Sequence, residues 1–139
     1  MIRREANNGL SYFEFESLRK FPIIQAIFTR SGGVSPSPWK SLNIGGTVGD
    51  SIEAVDENLR RIFSAVHILE ERTAQVHQVH SNQVVTVNEK FLNSKKKILA
   101  DGMASDQTGI AMLMRFADCV PVVLFDPVVK VVAVYHAGW

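Results

Sequence analysis

Two β-branched apolar runs on either side of one proline turn constrain this chain more than any other feature. They are Val120-Pro121-Val122-Val123-Leu124-Phe125 and Val131-Val132-Ala133-Val134-Tyr135. Runs of this composition bounded by turn residues read as strands. Asp126-Pro127-Val128-Val129 between them has Asp first and Pro second, the preference of a type I turn. A turn centred between Pro127 and Val128 predicts a hairpin in which Cys119 faces His136 at the open end, Cβ atoms roughly 5 Å apart. A thiol and an imidazole so placed can share a metal ion or act as nucleophile and base. Two-residue hairpins favour primed turns. A loop one residue longer would shift the register and turn one of the two side chains to the other face.

The whole inventory for such chemistry is small: four histidines and one cysteine in 139 residues. A multicopper oxidase needs many imidazoles around a Cys-centred copper, so this set fills at most one mononuclear centre. One cysteine forms no internal disulfide, and nothing in the sequence requires an oxidising compartment. A net charge of +1 gives no reason to expect nucleic acid or an anionic membrane as a partner. The chain starts Met1-Ile2-Arg3-Arg4-Glu5 without an apolar leader, and no apolar run approaches the ~18 residues of a membrane span. The expectation is a cytoplasmic protein with one domain over 1–139.

Upstream, residues 10–15 and Ile23-Ile24-Gln25-Ala26-Ile27-Phe28 read as strands. Thr29-Arg30-Ser31-Gly32-Gly33-Val34-Ser35 is a glycine turn carrying a cation, either an anion site or a solvated arginine. One clear helix is expected over about 51–67. Ile52, Val55, Leu59, Ile62, Phe63 and Val66 form its apolar stripe, and Asp50 with Glu53 forms an acidic capping box at its start. Glu57, Arg60 and Arg61 fall off the stripe and read as solvated, and His67 as structural. Residues 73–87 read as extended with a break near Ser81-Asn82. On a strand His77 and His80 would point to opposite faces, and spacing alone does not choose between them. Residues 88–99, with Lys95-Lys96-Lys97, read as a polar connection. Asp101-Gly102 is a turn signal, and residues 110–116 form a further strand. The fold class expected is α+β, with a mainly antiparallel or mixed sheet.

The motifs taken together resemble a known family. Thr29-Arg30-Ser31-Gly32-Gly33-Val34-Ser35, Ser41-Leu42-Asn43-Ile44-Gly45, Val48-Gly49-Asp50, Glu57-Asn58-Leu59-Arg60-Arg61, Gln78-Val79-His80, Ala100-Asp101-Gly102-Met103, Ala117-Asp118-Cys119-Val120-Pro121-Val122 and His136-Ala137-Gly138-Trp139 occur in the order of the YfiH/laccase-domain family. Its old name is multicopper polyphenol oxidoreductase. The resemblance implies a zinc-dependent purine nucleoside phosphorylase with adenosine deaminase activity, acting on purine nucleoside and phosphate; some bacterial members are described as peptidoglycan-editing factors. It implies Zn²⁺ ligands at His80, Cys119 and His136, His80 being preferred to His77 because Val84-Val85 follows at the family's distance. Ser81 and Gly102 stand where the family more often has glycine and alanine. Family chains continue past the closing motif for about another domain, so this chain is expected to be a fragment.

Two histidines and a thiolate leave zinc's fourth position open, the catalytic pattern, and the resulting centre would carry a net charge of +1. Arg30 is the candidate anion contact and Asn43 the candidate for sugar or base. Asp118 either orients a ligand, acts as acid or base, or bonds backbone at a strand end. Two other classes stand beside this one: a metal-free cysteine hydrolase using Cys119 and His136, and a non-catalytic binding module. Oligomeric state is left open.

Overall fold

The computed structural model describes residues 1–94 and 96–138; Lys95 of the lysine run and Trp139 of the closing motif lie outside the described residues. The fold is α+β, mostly sheet with one main helix. The chain divides into two compact units, Met1–Glu70 and Glu71–Trp139. None of the helices described is long and apolar enough to cross a membrane.

In the first unit β1 (Ile2–Glu5), β2 (Ser11–Glu14) and β3 (Ile27–Phe28) form an antiparallel sheet in that order. The expected strand at 23–28 is thus cut to its last two residues. Gln25 instead clasps the backbone of Phe15, its side chain accepting from the Phe15 N–H at 2.8 Å and donating to the Phe15 carbonyl at 3.1 Å. The helix α1 (Ile52–Val66) lies where its stripe predicts. Its cap is Ser51 rather than Asp50, because the Ser51 hydroxyl accepts from the Ala54 N–H at 3.2 Å. Asp50 instead accepts from the Ser35 hydroxyl and the Asn43 amide, at 2.6 and 2.9 Å. Ile52 is exposed, while Val55, Asn58, Ile62 and Phe63 form the buried side. His67 closes the helix in the left-handed region (φ 55°). Glu57 pairs with both Arg60 and Arg61, which lie off the stripe as expected.

Asn58 is a polar residue on an apolar face, and it is wholly inaccessible. Its amide donates to the Ser35 hydroxyl and to the carbonyls of Ser41 and Asn43, and its Oδ1 accepts from the Val34 N–H at 2.9 Å. It therefore satisfies the backbone of the irregular 29–50 loop from inside the helix. Gly33 allows this approach, since a Cβ there would lie 2.2 Å from the Ser41 carbonyl oxygen and 2.5 Å from Asn58 Oδ1.

Among its described residues the second unit holds two sheets. One is a parallel pair of β4 (Thr73–Gln75) and β7 (Ala111–Leu113). The other runs β5-β6-β9-β8, from β5 (Val84–Thr86), β6 (Gly102–Ser105), β8 (Val120–Asp126) and β9 (Val131–Ala137). β5 and β6 are parallel and the other pairs antiparallel, so the sheet is mixed. A short helix, α2 (Glu89–Leu92), interrupts the expected connection at 88–99. Gly102 opens β6 rather than turning the chain. Ala74, Val76, Val87, Ala100, Met103 and Met114 form the core of the unit.

The hairpin register differs from expectation. β8 and β9 are joined by a four-residue loop, 127–130, in which Lys130 is left-handed (φ 56°) and Asp126 Oδ1 accepts from the N–H groups of Val128 and Val129. His136 consequently pairs with Pro121, not Cys119. The displacement is two residues, which preserves side-chain parity. Cys119 stays on the face of His136, one diagonal step away.

Asn58→Ala would leave the Val34 N–H and the Asn43 carbonyl without this partner, while the Ser41 carbonyl keeps the Ser35 N–H at 2.9 Å. The expected loss is at least about 2 kcal/mol, read as a lower urea midpoint with an unchanged slope.

Candidate metal centre

Three segments of the second unit converge at the open end of the hairpin. β9 contributes His136, buried with its side chain only 5 % exposed. The residue before β8 contributes Cys119, also buried. His80 comes from the segment between β4 and β5, in the left-handed region (φ 58°). One ligand atom from each of His80, Cys119 and His136 falls within 4.8 Å of the others. Cys119 Sγ lies 3.9 Å from His80 Nε2, and the two imidazoles meet edge to face with centroids 4.8 Å apart.

His80 reaches this place because the chain at 76–81 is not a strand. His77 forms a single parallel bridge with Leu99 and is outside the cluster. Gln78 clasps Arg115 from both sides, donating to its carbonyl at 2.7 Å and accepting its N–H at 3.0 Å. The next three N–H groups, of Val79, His80 and Ser81, all donate to Asp101, with the Ser81 hydroxyl added at 2.9 Å. Gly138 then packs on the His80 ring: a Cβ there would lie 2.4 Å from His80 Cδ2.

Asp101, 3 % exposed, also takes His136 Nδ1 at 2.8 Å on Oδ1, while its carbonyl accepts the His136 N–H at 2.8 Å. Burial works against its ionisation. The Ser81 N–H, His136, the Val79 N–H and the Ser81 hydroxyl outweigh that and hold the carboxyl well below the usual carboxylate range. Sequence alone assigns Asp101 no role, because Asp-Gly carries a turn signal that does not distinguish a solvated aspartate from a buried one. Gln78 and Gly138 likewise stand out in the sequence only as motif members. Their one signal is position: each flanks a proposed ligand by two residues.

Asp118 is exposed, with Oδ1 3.8 Å from Cys119 Sγ. Arg30 and Asn43 belong to the first unit. Arg30 donates from Nε and Nη2 to the Lys40 carbonyl, and Asn43 braces its own loop through Gly45 and Asp50.

The donor set fits a zinc-type ion. Tetrahedral zinc with N and S ligands separates them by about 3.4–3.6 Å, a small closure from the spacing here. Thiolate with imidazole is a softness match for zinc, and Asp101 leaves His136 Nε2 for coordination. A thiol and two imidazoles brought this close make this a candidate mononuclear metal centre.

Comparison with known proteins identifies it further. The chain belongs to the YfiH/laccase-domain family, whose model, described as multi-copper polyphenol oxidoreductase laccase, matches residues 24–139. It is 36 % identical over 120 residues to a purine nucleoside phosphorylase of Corynebacterium glutamicum, covering 86 % of this chain and 49 % of that protein. Against the purine nucleoside phosphorylase YfiH of Escherichia coli it is 37 % identical over 111 residues, covering 80 % and 44 %. The crystal structure of YlmD from Geobacillus stearothermophilus superposes with a TM-score of 0.86 at 28 % identity, over 99 % of this chain and 53 % of that one. The chain thus spans about half the length of the curated relatives it matches.

Gly138→Ala would set a Cβ 2.4 Å from His80 Cδ2 and so displace the ring from its place in the cluster. It is expected to weaken zinc uptake at least about tenfold, measured by competition with a chromophoric chelator, with the far-UV circular dichroism unchanged.

Proposed function

We propose that this chain carries the zinc centre of a purine nucleoside phosphorylase, with His80, Cys119 and His136 as the ligands. The observation that supports this reading is the convergence of one thiol and two imidazoles within 4.8 Å. The names of the relatives supply the reaction class. Phosphorolysis breaks the bond between base and ribose, forms one from phosphate oxygen to the anomeric carbon, and returns a proton to the base. Zinc bound here supplies Lewis-acid polarisation of a phosphate or water oxygen. Cys119 contributes as thiolate and each histidine as a neutral imidazole. Asp118, exposed beside Cys119, is the candidate to orient substrate or move a proton. Arg30, on its glycine turn, enters the proposal as an anion contact, and Asn43 as a contact to sugar or base. Adenosine deamination, in which water replaces the amino group, is proposed as a second reaction of the same centre.

A metal-free cysteine hydrolase using Cys119 and His136 is the competing reading, although the imidazole in contact with Cys119 Sγ, at 3.9 Å, is that of His80. The second imidazole argues for the metal, since a nucleophile needs one base. A non-catalytic binding module is the third reading.

The test is release of free base from inosine or adenosine by the zinc-loaded protein. Release is expected to require phosphate. Cys119→Ser is expected to remove both stoichiometric zinc and turnover, exceeding the about 10–100-fold cost of changes outside the ligand shell. Thiol-dependent turnover by metal-free protein would favour the hydrolase instead. Zinc uptake without any base release would leave the binding-module reading in its place.

A further inference from the structure

We infer that Asp101 is the positioning residue of the centre: one carboxylate fixes the tautomer of His136 and folds residues 79–81 so that His80 is presented beside it. The inference rests on the zinc reading above. An ionised carboxylate only accepts, so the 2.8 Å contact from His136 Nδ1 to Asp101 Oδ1 requires the proton on Nδ1. The lone pair is then left on Nε2, the nitrogen available to a metal. The main chain locks this geometry, because the His136 N–H donates to the Asp101 carbonyl.

The same carboxylate acts on His80: Oδ1 also takes the His80 N–H, and Oδ2 takes the N–H groups of Val79 and Ser81 on either side. Successive N–H groups pointing at one anion form a nest, a conformation that includes a left-handed residue. Here the N–H groups of Val79, His80 and Ser81 point at Asp101, and His80 is the left-handed residue. The carboxylate offsets the cost of that conformation. Asp101 thus couples two imidazoles that stand 56 residues apart in sequence (136 less 80).

Asp101→Asn preserves shape and gives a sharp expectation. Oδ2 faces three donors: Val79 N–H, Ser81 N–H and the Ser81 hydroxyl. The introduced amide nitrogen is therefore driven to the Oδ1 side, where it gives up the single His80 N–H, donates to His136 Nδ1 and moves the ring proton to Nε2. The nitrogen needed for coordination is then blocked.

The experiment is long-range ¹H–¹⁵N correlation on metal-free protein at about pH 8, above the usual imidazole range, paired with zinc affinity by chelator competition. Wild-type His136 is expected as the Nδ1–H tautomer, and Asp101→Asn as the Nε2–H tautomer with zinc affinity down about 10–100-fold. Ser81→Ala, which removes one donor and keeps the carboxylate, is expected to retain the wild-type tautomer. A folded Asp101→Asn protein with wild-type tautomer and affinity overturns the inference. If that variant does not fold, the wild type and Ser81→Ala still decide: a proton on Nε2 of His136 in either overturns it. A wild-type protein with the Nδ1–H tautomer but no zinc uptake sinks the zinc reading while supporting the tautomer role of Asp101.

Discussion

The second unit depends on a charge that ought to be expensive. Removing a carboxylate from water costs several kcal/mol even after relaxation, yet Asp101 is almost wholly buried. It stays ionised because Val79, His80, Ser81 and His136 surround it with N–H donors, and the Ser81 hydroxyl adds one more. Three segments that the chain order keeps apart are thereby drawn to one point. The cluster of His80, Cys119 and His136 sits at the rim of that knot, with His136 on β9 and the other two on irregular backbone.

The first unit solves a similar problem without a charge. Its 29–50 loop has little regular structure, so its backbone groups need partners from elsewhere. Asn58 brings a neutral amide, able to donate and accept together, into the middle of the loop. An aspartate would lack the donors for the Ser41 and Asn43 carbonyls. An asparagine at 101 would keep one acceptor for the turn at 79–81 and lose the one that takes the His80 N–H. Each hub carries the chemistry its surroundings demand.

Legibility from sequence follows physical range. The main helix and the long strands are readable because local periodicity encodes them, and α1, β8 and β9 lie where their patterns put them. Short strands are less readable. β6 begins at Gly102 inside an apparent turn, and β3 retains only two residues, because pairing rather than propensity defines them. The three clustering residues are legible only when motif resemblance is added to spacing. Periodicity does not choose between His77 and His80, and a left-handed residue in a loop leaves no such trace. Asp101 is hidden for the opposite reason: its sequence neighbourhood carries a strong but misleading local signal, while its five donors lie 20 or more residues away.

The loop that closes β8 onto β9 has a consequence for how lineages of such chains can vary. Side chains on a strand alternate, so hairpin loops of two or four residues leave Cys119 and His136 on a common face, whereas a loop of three separates them. Length change at this surface turn is therefore quantised: insertions and deletions should survive in pairs. A tip that touches nothing in the centre would still carry an arithmetic imprint of it.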